Sequence, residues 1–369
     1  MARFSSLAEK LRFQIGRDGP LPLATYMQRC LADPEFGYYT TRQAIGRRGD
    51  FITAPEISQM FGELIGVWCV GAWEALDRPD RFCLAEAGPG HGTLMADLLR
   101  VLAARPDMMR AMEVVLIELS PAMRAAQAER LEAFATAGST VGGAIRWVDA
   151  LADLPDLPTL LIANEFLDAL PFRQYVKAAG GWRETGIGLN ETGKLARLLL
   201  PVLADPAILP QGADREAEGS VFEHASAREA VIETVAAHLA KNTGAALFID
   251  YGHAASGFGD TFQAVGDHRY RDPLAEPGRH DLTSHVDFER LAAAARASSI
   301  AMPRLATQGA FLLALGLLER AGALGSAKSA DVQDGIRADV ERLAGPAAMG
   351  DLFKVLQLTS PDLPLAGHS

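Results

Sequence analysis

The chain has 369 residues, 49% of them apolar and 22% charged, enough to bury a sizeable core beneath a polar surface. Its 35 Lys and Arg stand against 46 Asp and Glu, a net charge of −11 at pH 7, which works against the broad phosphate footprint of nucleic-acid binding. Cys30, Cys69 and Cys83 lack metal-ligand spacing and leave an odd thiol, and no window approaches the roughly 20 apolar residues that span a bilayer, so a zinc site, a disulfide framework and membrane insertion are all excluded as expectations.

Residues 1–80 read as a helical N-terminal cap: two or three helices joined by a Gly-rich stretch, IGRRGDFITAPEIS, at 45–58. The first 19 residues lack the unbroken apolar run of a secretory signal, and a cytoplasmic protein is expected. Within the Gly-rich stretch, Thr53 to Glu56 fits a capping box, with Thr53 as N-cap and Glu56 reaching back to it. The competing expectation is a segment over the active site, with Asp50 meeting substrate.

From 81 to 308, short β-rich runs alternate with helical patterns, the signature of a parallel sheet covered on both faces. Strands are expected near 81–88, 112–119, 145–149, 159–164 and 245–251, with helices at 93–104 and from Pro121 to Phe134, the latter capped by Ser120. This βαβαβ order predicts a Rossmann-like α/β core. Two insertions interrupt it: a hairpin over 172–200 turning at Gly180-Gly181, and a Gly- and charge-rich excursion over 253–285 that reads as a lid or mobile loop. Residues 309–369 read as a C-terminal helical segment packed on the core.

The strongest local signal is EAGPGHG at 86–92, between the first strand and a helix. Glycines remove Cβ atoms where backbone must turn and approach a ligand, and the helix start offers free N–H donors. The spacing is G-x-G-x-G at Gly88, Gly90 and Gly92, led by Glu86; a dinucleotide fingerprint would need its third glycine at position 93, which is Thr. The turn resembles the first motif of class I methyltransferases. Such a site binds a methionine tail and needs no phosphate cradle. Glu118, 26 residues beyond Gly92, ends the second strand where an acid can accept from both ribose hydroxyls, and Asp149 ends the third where it can accept from an adenine amino group. The structural alternatives are that Glu118 caps the next helix and that Asp149 is a turn acid.

Methyl transfer needs positioning and an available lone pair, with no metal and no covalent enzyme intermediate. The fourth strand runs into NEFLDALP at 164–171, placing Asn164, Glu165 and Asp168 as catalytic candidates; Glu165 and Asp168 could clamp a guanidinium fork. The alternative is a turn shaped by Asn164 and Asp168 ahead of Pro171. Asp250 and Tyr251, ending the fifth strand, are further rim candidates, with His253 a loop histidine.

Taken in order, GPLPLATYMQRCLADPEFGYYT (19–40), GDFITAPEISQMFGELIGVW (49–68), EAGPGHGTLMADLLRVL (86–102), NEFLDALP (164–171), GWRE (181–184) and GAALFIDYGH (244–253) resemble the MidA-like family, methyltransferases that assist assembly of respiratory complex I in mitochondria and have bacterial relatives. The resemblance covers nearly the whole chain. It implies the class I S-adenosylmethionine-dependent fold, S-adenosyl-L-methionine as cofactor, and symmetric dimethylation of an arginine on a complex I core subunit. Gly88, Gly90 and Gly92 would contact the cofactor and Glu118 its ribose. A different methyl acceptor, or a cofactor-binding assembly chaperone with little catalysis, are the alternatives; the oligomeric state stays open.

Overall fold

The computed structural model describes residues 3–41, 53–135, 145–266, 269–298, 303–361 and 363. The chain divides into two compact units, one comprising 52–167, 230–254 and 286–369, the other 1–51, 168–229 and 255–285.

The first unit is built on a mostly parallel sheet. Its strands are β1 (Phe82–Ala87), β2 (Met112–Ile117), β3 (Ile145–Val148), β4 (Thr159–Asn164), β5 (Gly244–His253), β6 (Arg304–Thr307) and β7 (Phe353–Thr359), in the order β3-β2-β1-β4-β5-β7-β6, with the two-residue strand Val286–Asp287 added beside the end of β5. Strands β1 to β5 run parallel, while β7 is antiparallel to both β5 and β6. Every residue of β1 and of β4 is buried, the near-continuous apolar character of strands covered on both faces. The five expected strands lie within two residues of where the β-rich runs place them, and the α/β Rossmann-like core is the observed fold.

Helix α1 (Gln59–Ala75) buries Met60, Phe61, Leu64, Ile65, Trp68 and Cys69. These join Leu94, Leu98 and Leu102 of α2 (Thr93–Leu102) and Leu84, Ile162 and Leu247 of the sheet in one core. A helix apolar on most of its circumference must be covered widely, which is why 52–80 goes with the sheet and only the first 51 residues go with the other unit, a division unlike the expected 1–80 cap. The expected C-terminal segment is likewise only partly helical: after helices Gln308–Ala314, Leu317–Gly325 and Ala330–Ala344 the chain returns as β7, whose residues pair with β5 from Ala245↔Thr359 to Tyr251↔Phe353.

The second unit starts with helix Leu7–Asp18, capped by Ser6 accepting from the Glu9 N–H, with Leu7, Leu11 and Ile15 buried at four-residue spacing. They pack with Leu23, Tyr26 and Met27 of helix Leu23–Ala32 and with Phe172, Ile187, Phe262 and Leu282. The expected hairpin is present as strands Arg173–Ala178 and Gly181–Leu189, turning where Gly180 and Gly181 have φ of 86° and 132°. Strands Leu195–Leu203 and Val221–His224 widen it. The 253–285 excursion departs from the expectation of a plain lid or loop: its described part forms a three-stranded antiparallel sheet from Gln263–Gly266, Arg269–Arg271 and Asp281–Thr283.

Candidate cofactor and active site

The chain leaves β1 for β2 and β3 on one side, then returns to β4 on the other side of β1. This reversal opens a crevice at the carboxyl ends of β1 and β4, where open α/β sheets bind ligands. The residues at those two ends are Gly88 to Gly92 and Asn164 to Leu167.

After β1, Gly88, Gly90 and Gly92 take φ of 66°, 52° and 75°, the left-handed region that glycine enters without a Cβ penalty. At Gly88 a Cβ would also stand 2.9 Å from the Phe166 ring. Gly92 is the N-cap of α2 and supplies no side-chain cap; in the first turn of the helix the Met95 N–H meets the Glu86 carboxyl instead. Beneath the turn, Glu86 is fully buried, and burial, opposed only by the Met95 N–H, raises its carboxyl to about 8. Its Oε2 has no hydrogen-bond partner among the described residues. At neutral pH it is a neutral acid that can donate as well as accept.

The strand ends beyond β1 add two acids. Glu118 Oε1 accepts from the Ser120 N–H at 2.7 Å and Oε2 from Gln127 Nε2 at 3.2 Å. Asp149 is mostly exposed and paired at 2.5 Å with Arg124, whose guanidinium also donates to the carbonyls of Glu118 and Val148. Arg124 and Gln127 stand three apart on α3 (Pro121–Ala135) and so share one helix face. Sequence reading missed both. The only signal was their spacing after the Ser120-Pro121 helix start, in a helix whose polar residues are spread around its circumference.

After β4, Asn164 is buried and donates to Glu165 Oε1 at 3.3 Å, while its own Oδ1 has no partner among the described residues. Glu165 has φ of 50°, a left-handed conformation that costs a non-glycine residue about 1–3 kcal/mol. The turn is held from outside: the Glu165 N–H donates to the Ile249 carbonyl at 2.9 Å, the Leu167 N–H to Asp250 Oδ2 at 2.9 Å, and the Ala54 N–H to Glu165 Oε1 at 3.3 Å. Asp250, a rim candidate, is thus buried beneath the turn and braces it; Tyr251 is buried beside Phe353. Asp50 lies outside the described residues.

The capping box at 53–56 does not form. Thr53 is the N-cap of the short helix Ala54–Ile57, but its side chain makes no cap bond, and Glu56 Oε1 instead accepts from Thr93 Oγ1 at 2.5 Å. Glu56 therefore ties this segment to the first residue of α2, next to the glycine turn. The pair is 37 residues apart, a contact that local pattern reading cannot find.

Asp168 belongs to the second unit. There it is buried, and its carbonyl accepts from Arg228 and from the Ser284 N–H. Close by, Tyr39 donates to Asp281 Oδ1 at 2.8 Å, and burial, followed by the charges of Asp281 and Asp168, pushes its phenol well above the usual range. The structure thus brings Glu86, Gly88, Gly90, Gly92, Glu118, Asp149, Asn164 and Glu165 to the strand ends of one unit and assigns Asp168 to the other.

These residues fit an adenosyl amino acid: a turn stripped of Cβ atoms, an acid beyond the second strand, and buried oxygens on Glu86 and Asn164 that have no partner among the described residues. The chain matches a family model described as S-adenosyl-L-methionine-dependent methyltransferase over residues 64–305. It is 37% identical to a Drosophila melanogaster protein named protein arginine methyltransferase NDUFAF7 homolog, mitochondrial, over 96% of this chain and 84% of that one. To the human protein arginine methyltransferase NDUFAF7, mitochondrial, it is 33% identical over 94% of this chain and 82% of that one. Among solved structures, a Burkholderia thailandensis methyltransferase bound to S-adenosyl-homocysteine superposes with a TM-score of 0.80 at 32% identity, covering 98% of this chain and 95% of that one. The site geometry and these similarities lead to one conclusion: the chain belongs to the MidA-like family of S-adenosyl-L-methionine-dependent methyltransferases.

Proposed function

We propose that this enzyme methylates an arginine of a partner protein, a core subunit of respiratory complex I, to the symmetric dimethyl form. The observation that carries the reading is Glu165, a carboxylate kept in a costly backbone conformation at the switch point, one residue from Asn164. Strain of this kind persists only where surrounding structure enforces it. The names of the relatives support an arginine acceptor.

In this reading Gly88, Gly90 and Gly92 let backbone approach the methionine part of the cofactor, Glu86 meets its polar end, Glu118 takes the ribose hydroxyls and Asp149 stands at the adenine edge. When bound, S-adenosyl-L-methionine supplies an electrophilic methyl group on a sulfonium. The Glu165 carboxylate pairs with the guanidinium fork, localises a lone pair on one nitrogen, and takes the proton which that nitrogen releases. Asn164 Oδ1 accepts from a second guanidinium N–H. Among the described residues no helix is long and apolar enough to cross a membrane. The three buried free thiols accord with a reducing cytoplasmic setting.

The test is incubation of the purified enzyme with methyl-labelled cofactor and the complex I core subunit, followed by mass spectrometry of the labelled peptide. Symmetric dimethylarginine is expected. Label on a different residue type, or on no protein at all while S-adenosyl-homocysteine still binds, overturns the arginine reading.

A further inference from the structure

We propose that Gln127 is a positioning residue for cofactor binding, one that presets the Glu118 carboxylate for the ribose and links it to the glycine turn. The inference rests on the reading that Glu118 grips the ribose.

Gln127 is completely buried. Its Nε2 donates to the Gly90 carbonyl at 2.7 Å and to Glu118 Oε2 at 3.2 Å, and its Oε1 accepts from Trp147 Nε1 at 2.7 Å. A glutamine amide has two N–H donors and one acceptor oxygen, so both donors and the acceptor are engaged. The orientation is also forced. A reversed amide would set its oxygen against a carbonyl and a carboxylate, and its NH2 against an indole N–H that can only donate. One side chain therefore joins the turn after β1, the acid after β2 and the middle of β3, three strand segments that converge on the same rim.

The consequence for Glu118 follows from its two oxygens. Oε1 is held by the Ser120 N–H and Oε2 by Gln127, which leaves a lone pair on each and removes the freedom of the carboxylate to swing. Two hydroxyls on adjacent ribose carbons need such a paired, preset acceptor. An acid fixed beforehand binds more tightly than one that must be ordered by the ligand. Gln127 touches no cofactor in this scheme and acts through Glu118 and Gly90.

The experiment measures dissociation constants of S-adenosyl-homocysteine and its 2′-deoxy analogue by calorimetry for the native enzyme, for Gln127→Met, which keeps the volume and removes the amide, and for Glu118→Gln. The native enzyme is expected to prefer the ribose form. In Gln127→Met the ribose form weakens about tenfold and the ratio of the two constants falls by about threefold or more. Equal weakening of both ligands, with the ratio unchanged, overturns the positioning role. A second readout needs no variant. In isotope-labelled native protein, the Gln127 side-chain amide and Trp147 indole resonances shift on adding S-adenosyl-homocysteine and shift less with the 2′-deoxy analogue; no shift with either, while both bind, also overturns the inference. A native enzyme that binds both ligands equally, and equally again in Glu118→Gln, overturns the ribose role of Glu118 and the proposal resting on it.

Discussion

The two turns that face each other across the switch point, Gly88–Gly92 after β1 and Asn164–Leu167 after β4, reach unusual backbone conformations by opposite means. The first places three glycines in the left-handed region, where they sit at little cost. The second places Glu165 there and holds it with bonds from Ile249, Asp250 and Ala54, all more than 80 residues away in sequence. The glycine turn is thus a local property of a short peptide. The Glu165 turn comes into being only once β4, β5 and the 53–57 segment are assembled.

The sharpest way to break the comparison is Gly88→Val, which forces a β-branched residue to φ of 66° and a Cβ to within 2.9 Å of Phe166. Calorimetry should show S-adenosyl-homocysteine binding weakened by about 100-fold or more; a change under about threefold would mean that the turn is not where the cofactor lies. Glu165→Gln keeps the shape and removes the charge on the other side. The turnover number should drop by about 100-fold with cofactor affinity nearly unchanged, and an equal loss in both would make the two turns one binding surface.

Glu86 separates the two sides by pH. Its carboxyl ionises near 4.5 when unfolded and at about 8 in the fold, so the native state holds the extra proton between these values. The stability this contributes is complete below 4.5 and is lost as pH rises to about 8. Urea denaturation at pH 5 and pH 9 should show the native enzyme losing stability over that interval and Glu86→Gln losing less; identical slopes would show that the acid is ionised in the fold. The smallest effect belongs to Glu165→Gly. Relief of the backbone strain should raise stability by about 1 kcal/mol in the same assay while methyl transfer is lost, and a decrease in stability would show that the Glu165 side-chain contacts outweigh its strain.

Much of the site was legible because it sits at strand ends. A buried parallel strand needs an unbroken apolar run, and the residues at or just past its end, Gly88 to Gly92, Glu118, Asp149 and Asn164, are then placed at the rim by counting. What was misread depends on distant partners. The Phe353–Thr359 segment becomes a strand because β5 offers it an edge. Glu56 satisfies capping-box spacing yet bonds Thr93, because packing of 53–57 against α2 brings a hydroxyl closer than its own cap. Gln127 looks like one more polar residue on a surface helix, and only the convergence of three strand segments buries it. The 253–285 excursion, rich in glycine and charge, has strands three or four residues long, too short for alternation to register.

By itself the amino-acid order determined the parallel core, the glycine turn and the acids that follow the strands, since each depends on periodicity or on a conformation that a single residue type tolerates best. Only the tertiary structure decided which unit each helix joins, how Glu165 is kept at positive φ, and which side chain locks Glu118. Those outcomes rest on hydrogen bonds and packing between groups far apart along the chain, whose mutual distances exist only after the sheet has closed around them.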